Sequence, residues 1–258
     1  MHYETITQAL DDGISVITLN RPDVMNALNT QMRAELTHAI KRAAGEARVI
    51  VLTGTGRSFC SGQDLGDGGS AATLDLERTL RDEYVPLLSA LLDAPVPTIA
   101  AVNGAAAGAG ANLALACDVV IASVDAYFIQ AFTRIGLIPD AGGTYMLPRQ
   151  IGMARAMGAA LFADRIPARQ AADWGMIYEA IEADSFDAHW RARAQHLAKG
   201  PTAAYARLKS ALRQSPGNTL DAQLALEARL QGEAGKTRDF KEGILAFLEK
   251  RTPRYEGR

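Results

Sequence analysis

Three observations predict an α/β fold. Short apolar runs rich in Val and Ile, such as "ARVIVLTGTG" and "DVVIAS", recur through the first half of the chain, as do strands buried on both faces. Segments with helical periodicity alternate with them there. The second half is mostly helical in pattern, and no linker-like stretch or fixed-period repeat divides the two. One core over residues 1–195 and a helical extension over 196–258 are therefore expected.

In chain order, "GISVITLNRP" opens on β-branched residues and ends in a Pro turn, so it reads as a strand. "MNALNTQMRAELTHAIKRAAG" puts Met32, Leu36 and Ile40 on one helical face, with Gly45 as its stop. "ARVIVLTGTG" is a buried strand, and "SFCSGQDLGDGGS" reads as a polar, Gly-rich loop. Residues 74–93 are helical in pattern, and the stretch 66–85 is expected to shape a ligand pocket. "VPTIAAVNG", "AGANLALAC" and "DVVIAS" read as strand, helix and strand. The uncharged run Ala94–Cys117 contains Pro95, Pro97, Asn103 and Asn112, so it is no membrane span. "ARAMGAALFA" and "PARQAADWG" read as helices, and three more are expected from about residue 185 onward.

Composition narrows the function. Of 258 residues, 48% are hydrophobic and 22% charged, and the net charge is -2. That is ordinary for a soluble globular protein and lacks the basic surface that nucleic acid requires. The basic tail "KRTPRYEGR" is either a local anion site or a solvated end. Cys60 and Cys117 are the only cysteines, with no CxxC or Cys/His cluster. This argues against zinc and disulfides and for a reducing, cytoplasmic setting. The N-terminal "MHYETITQALDDG" lacks the form of a signal peptide.

Candidate chemistry concentrates in the Gly-rich turns. His2, His38, His189 and His196 all lie outside those turns, and there is no GxSxG elbow. Cys60 has no histidine in a recognisable partner motif. "NGAAAGAGANLALACD" superficially suggests a dinucleotide fingerprint, but Leu113 stands where the third glycine belongs. Its small residues still allow close backbone approach at a helix N-terminus. "SFCSGQD" is a second such turn after a strand. Two turns of this kind can aim two backbone N–H groups at one developing oxyanion. In "GLIPDAGGT" the carboxylate of Asp140 sits among apolar neighbours, as a turn-former, a helix cap or a base.

The segments "LNRPDVMNALN", "TGTGRSFCSGQDL", "AVNGAAAGAGANLALACD", "FIQAFTRIGLIPDAGGTYMLPR" and "EGILAFLEKR" together resemble the crotonase (enoyl-CoA hydratase/isomerase) superfamily, over nearly the whole chain. The resemblance implies a spiral of ββα units followed by a helical trimerisation region. It implies an acyl-CoA thioester substrate and a homotrimer or dimer of trimers. No metal and no cofactor beyond the substrate's own CoA are implied, and no nucleic acid or membrane partner. The oxyanion donors would be the N–H groups of Gln63 and Ala109. Ser61, Gly62, Asp64, Gly108, Asn112 and Phe132 fall at the family's thioester site. Arg21 in "NRP" and Lys250 in "AFLEKR" would meet CoA phosphates, unless they are solvated surface charges.

The chain departs from the family's hydratases. Those carry two glutamates, where this sequence has Asn112 and Phe132. The pattern is similar to the isomerase branch instead, above all to ring-expanding isomerases of an aromatic epoxide thioester. There the aspartate of "IPDAGGT", here Asp140, is the catalytic residue. Isomerases of enoyl or dienoyl thioesters, a hydratase, and a crotonase-fold binding protein are the alternatives.

Overall fold

The computed structural model describes residues 2–66 and 75–258. Strands β1 (Ile6–Asp11) and β2 (Ile14–Leu19) form an antiparallel hairpin. Strands β3 (Val49–Gly54) and β4 (Ser58–Cys60), β5 (Thr98–Val102) and β6 (Ala105–Ala107), and β7 (Val119–Ser123) and β8 (Tyr127–Ile129) then follow as consecutive pairs. The first strand of each pair joins a large sheet and the second a small one. With β9 (Ile166–Pro167) and β10 (Glu179–Ile181), the orders are β1-β2-β3-β5-β7-β10 and β4-β6-β8-β9. Every pairing after the hairpin is parallel except β8 with β9. This is the expected ββα spiral.

Helices fill the returns. They are α1 (Thr30–Glu46), α2 (Leu76–Thr79), a π-helical turn (Leu80–Tyr84), α3 (Val85–Leu92), α4 (Ala109–Leu115), α5 (Gly143–Phe162) and α6 (Ala168–Asp173). Then come α7 (Ala183–Ala198), α8 (Thr202–Gln214), α9 (Leu220–Ala234) and α10 (Arg238–Leu248). Both faces of the large sheet are covered. Ile50 and Leu52 of β3 pack into the main core with Leu36 and Ile40 of α1. Val49 and Val51 point the other way, onto Phe186 and Trp190 of α7. That alternation explains why β3 reads as one unbroken apolar run.

Several elements differ from expectation. Helix α1 starts at Thr30 rather than at Met25. Met25 and Asn26 are left-handed (φ 55° and 56°), and Asn26 Nδ2 donates to Thr55 O and Ser58 O. The side chain of Asn29 caps the helix by accepting from Met32 N. Gly45 lies inside α1, since one glycine is a tolerable cost in a helix whose other face is buried. "SFC" is strand β4, not loop. The segment around "ARAMGAALFA" belongs to the longer α5, broken at Gly152 (φ 77°, ψ 159°). Four helices, not three, follow residue 182.

Among the described residues, no helix is long and apolar enough to cross a membrane. The C-terminal helices are tied to the core by charge. Asp118, just before β7, accepts from Thr98 N (2.8 Å), Lys209 Nζ (2.7 Å) and Arg213 Nη2 (2.6 Å). Lys209 also donates to Ala94 O and Val96 O. Asp118→Ala strands the largely buried Lys209 and the half-buried Arg213, so it is expected to cost about 3 kcal/mol of stability. The urea midpoint checks this, and an unchanged midpoint would remove Asp118 as the anchor of α8.

Candidate active site

Strands β4, β6 and β8 lie side by side and parallel. The chain therefore leaves all three at the same end, with neighbouring exits about 4.8 Å apart. The exits are Ser61-Gly62-Gln63, Gly108-Ala109 and Gln130-Ala131-Phe132. Ser61, Gly62, Gln63, Gly108, Ala109 and Phe132 share one cavity of about 260 Å³ with Asp140.

Glycine is required where the exits meet. Gly62 has φ 98°, and a Cβ there would lie 2.8 Å from Ala107 O and 3.5 Å from Ala109 N. Gly108 has φ 52° and ψ −126°. A Cβ on Gly110 would come within 2.7 Å of Cys60 Sγ and closer still to Cys60 O. Side chains at Gly62 and Gly110 would push the first exit away from the second, and Gly108 needs its positive φ.

The two backbone donors follow from the pairing. Leu28 forms a parallel bridge with Gln63. Leu28 N donates to Gly62 O (2.8 Å), and Asp64 N donates to Leu28 O (3.1 Å). Gln63 sits between those bonds, so its own N–H faces away from Leu28. Ala109 is the first residue of α4, where an N–H has no partner within the helix. Among the described residues neither amide donates a hydrogen bond. Two unpaired N–H groups on adjacent exits of one cavity can bind an oxyanion.

Asp140 reaches the same cavity from the turn before α5. Ala141 (φ 46°) and Gly142 (φ 82°) are consecutive left-handed residues that set its direction. It is not the cap of α5: Gly142 holds that position, and no side chain bonds the helix end. Its Oδ1 is buried and has no hydrogen-bond partner. Burial raises its pKa from 3.8 to about 6, and its own backbone N–H offsets this in part. A partly desolvated carboxylate with raised pKa and an unbonded oxygen is suited to accept a proton.

Asn112 does not touch the cavity. It is fully buried behind it, accepting from Gln130 Nε2 (2.9 Å) and donating to Asp140 O (2.8 Å). It therefore supports the turn that carries Asp140, which corrects the expectation of a substrate contact. A Cβ on Gly143 would collide with its Nδ2, so this contact also requires glycine. Phe132 is a buried wall of the cavity.

The remaining candidates are dispersed. Arg21 is paired with Asp64 (2.8 Å) and with Ala27 O (2.6 Å), beside the Gln63 exit. Lys250 lies exposed beyond α10 and is not brought to the cavity within this chain. Of the stretch expected to shape the pocket, Leu76, Thr79, Leu80 and Tyr84 line it, and residues 67–74 lie outside the described residues. His38 and His189 bond to Tyr3 and Glu179, away from the site. Burial pushes the Cys60 thiol up to about 12, so it is no nucleophile at neutral pH. Sequence reasoning overlooked Arg33 and Tyr84, which grip the Gln63 side chain. The one available sign was a charge at Arg33 on the apolar face of α1.

Comparison with known proteins gives a consistent picture. The profile of the enoyl-CoA hydratase/isomerase family matches residues 9–258. A Rhodobacter capsulatus protein named "Probable enoyl-CoA hydratase" is 64% identical over all of both chains. The Escherichia coli "1,2-epoxyphenylacetyl-CoA isomerase" is 44% identical over 99% of each chain. The crystal structure of an enoyl-CoA hydratase from Bacillus anthracis superposes with a TM-score of 0.91 at 31% identity, covering 99% of this chain and all of the other.

Burial of Asp140 has a consequence for stability. Its folded-state pKa of about 6 lies above the ordinary 3.8, so the folded state holds the proton longer than the unfolded state. Stability contributed by this group is therefore complete at low pH and lost as pH rises through about 4 to 6. Asp140→Asn removes that loss. The unfolding free energy of the variant minus that of the wild type is expected to increase between pH 4 and pH 7 in denaturant titrations. A difference that stays flat would mean the carboxylate is not desolvated.

Proposed function

The chain belongs to the enoyl-CoA hydratase/isomerase family, and within it we propose that it is a CoA-thioester isomerase. The observation that carries this reading is the count of carboxylates. Asp140 is the only Asp or Glu among the described residues of the cavity. Adding water across a double bond needs one group to activate water and one to protonate carbon. Asn112 is an amide already engaged on both sides, and Phe132 cannot move a proton. A proton taken from one carbon and returned to another needs a single carboxylate.

In the proposed mechanism the thioester oxygen accepts from Gln63 N–H and Ala109 N–H. Asp140 takes a proton from the carbon beside the thioester. The enolate charge falls on the oxygen that the two amides hold, each donor lowering the barrier by about 3 kcal/mol. Asp140 then gives its proton back at a different carbon, so neither water nor electrons are gained or lost. Proton transfers of this kind need no metal and no redox cofactor.

For the acyl group we propose an epoxide-bearing aromatic ring, as in 1,2-epoxyphenylacetyl-CoA, with ring expansion after enolate formation. Two facts support it. The isomerase of that name is 44% identical over 99% of each chain. The cavity walls beyond the reacting groups are apolar, with Leu65, Leu80, Phe132, Ile135 and Leu137. A Δ3 to Δ2 double-bond shift is the second reading, because the same single carboxylate suffices for it. We further propose a cytoplasmic trimer or dimer of trimers. Phe162, Leu220 and Phe247 are each at least 74% exposed on helices α5, α9 and α10, as helix faces that pack against another subunit are.

Asp140→Asn is expected to lower kcat by about 10² or more while CoA-thioester binding stays near normal. In the wild type, kcat/KM for 1,2-epoxyphenylacetyl-CoA is expected to rise with pH and level off above about 6, as the Asp140 base becomes ionised. A pH-independent rate, or full activity in the variant, would remove Asp140 from the mechanism.

Crotonyl-CoA hydration is expected at least about 10² below isomerisation, the low end of an acid–base contribution. Loss of enoyl-thioester absorbance against isomerase turnover in one preparation measures both. Comparable rates would overturn the isomerase reading.

A further inference from the structure

Gln63 is held by its side chain as firmly as by its backbone. Its Oε1 accepts from Tyr84 Oη at 2.6 Å and from Arg33 Nη1 at 3.0 Å. Arg33 is a guanidinium only 2% exposed. Its other groups are engaged too. Nε and Nη2 meet Glu83 Oε2 at 2.8 and 2.6 Å, and Nη2 meets Thr30 Oγ1 at 3.1 Å. Its carbon also lies 5.2 Å from the centre of the Tyr84 ring. A buried charge so fully bonded has one geometry available.

The clamp reaches the reacting end of the site through one residue. The Gln63 backbone supplies the unbonded N–H read as an oxyanion donor, and the Gln63 side chain supplies the oxygen that is gripped. Residues 80–84 form a π-helical turn, an arrangement frequent at functional sites. It places Glu83 on Arg33 and Tyr84 on Gln63 at consecutive positions. Tyr84 also lines the cavity. Burial holds its phenol above the ordinary range, with Arg33 opposing, so the hydroxyl remains a donor at working pH.

We propose that Tyr84 and Arg33 are positioning residues that fix the Gln63 peptide so its N–H points at the substrate oxyanion. The inference rests on the reading of Gln63 and Ala109 as donors. Tyr84 acts through Gln63 and not on the reacting atoms.

The test uses the full chain with two readouts, turnover and the absorption of bound cinnamoyl-CoA. The conjugated thioester shifts to the red when its carbonyl oxygen is hydrogen-bonded. Tyr84→Phe keeps the ring and removes one donor. It is expected to lower kcat about tenfold, with KM within about twofold, and to reduce the red shift. Gln63→Met keeps the backbone N–H and removes the gripped oxygen. Combining it with Tyr84→Phe is expected to add little further loss, because both act on one contact. A full red shift in wild type and Tyr84→Phe alike would overturn the inference alone, as would a variant that loses KM but not kcat. Additive losses in the double variant would also overturn it. No red shift in the wild type would overturn the donor assignment, and this inference with it.

Discussion

The site depends on the parallel register of three short strands. β4, β6 and β8 contribute three residues each to the small sheet. Because they run side by side in one direction, their C-terminal exits open on one cavity. Ligand sites at the carboxyl ends of parallel strands are a general consequence of this geometry. Here it has a specific product: two backbone amides, Gln63 N and Ala109 N, on neighbouring exits. The exits stay close because Gly62 and Gly110 lack the Cβ atoms that would separate them, while Gly108 supplies a turn with positive φ.

Asp140 shows how a group can be kept reactive at a cost to the fold. Its turn uses two left-handed residues in succession, one of them an alanine. Its Oδ1 is buried without a donor. Strain and desolvation are both unfavourable, and they persist only where the surroundings dictate the conformation. Those surroundings include Asn112 and Gln130, whose amides link the β8 exit, the α4 helix and the Asp140 carbonyl. Neutral amides there hold the turn without adding charge beside Asp140.

Gln63 joins two networks that would otherwise be separate. Its backbone belongs to the bridge with Leu28 and to the cavity, and its side chain to Arg33 and Tyr84. Helix α1 therefore supports the site through Arg33 as well as the core through Leu36 and Ile40. The α8 helix is bound by its own ion cluster at Asp118, at the opposite ends of β5 and β7 from their chain exits. The two polar clusters serve different parts of the molecule and share no residue.

Strand β2, the buried β3, β5 and β7, the helices between them and the three motifs at the cavity were legible in the sequence. Runs of four apolar residues, Val49–Leu52, Ile99–Val102 and Val119–Ala122, and helical periodicity reveal local burial directly. Asp140, Gln63 and Ala109 also stood out, through resemblance and through glycines at turns. What stayed hidden was β1, the short β9 and β10, and above all β4, β6 and β8. Three residues are too few to show an alternation, so "SFC" read as loop. The roles of Asn112, Arg33 and Tyr84 were hidden for a different reason. Each acts through partners far along the chain: Asn112 on Asp140, and Arg33 and Tyr84 on Gln63. The sequence by itself determined which segments would be buried and which turns could bare their amides. Only the tertiary structure decided that Gln63 and Ala109 share one cavity with Asp140, whose Oδ1 is buried without a partner, because parallel pairing and packing bring together residues whose spacing carries no local signal.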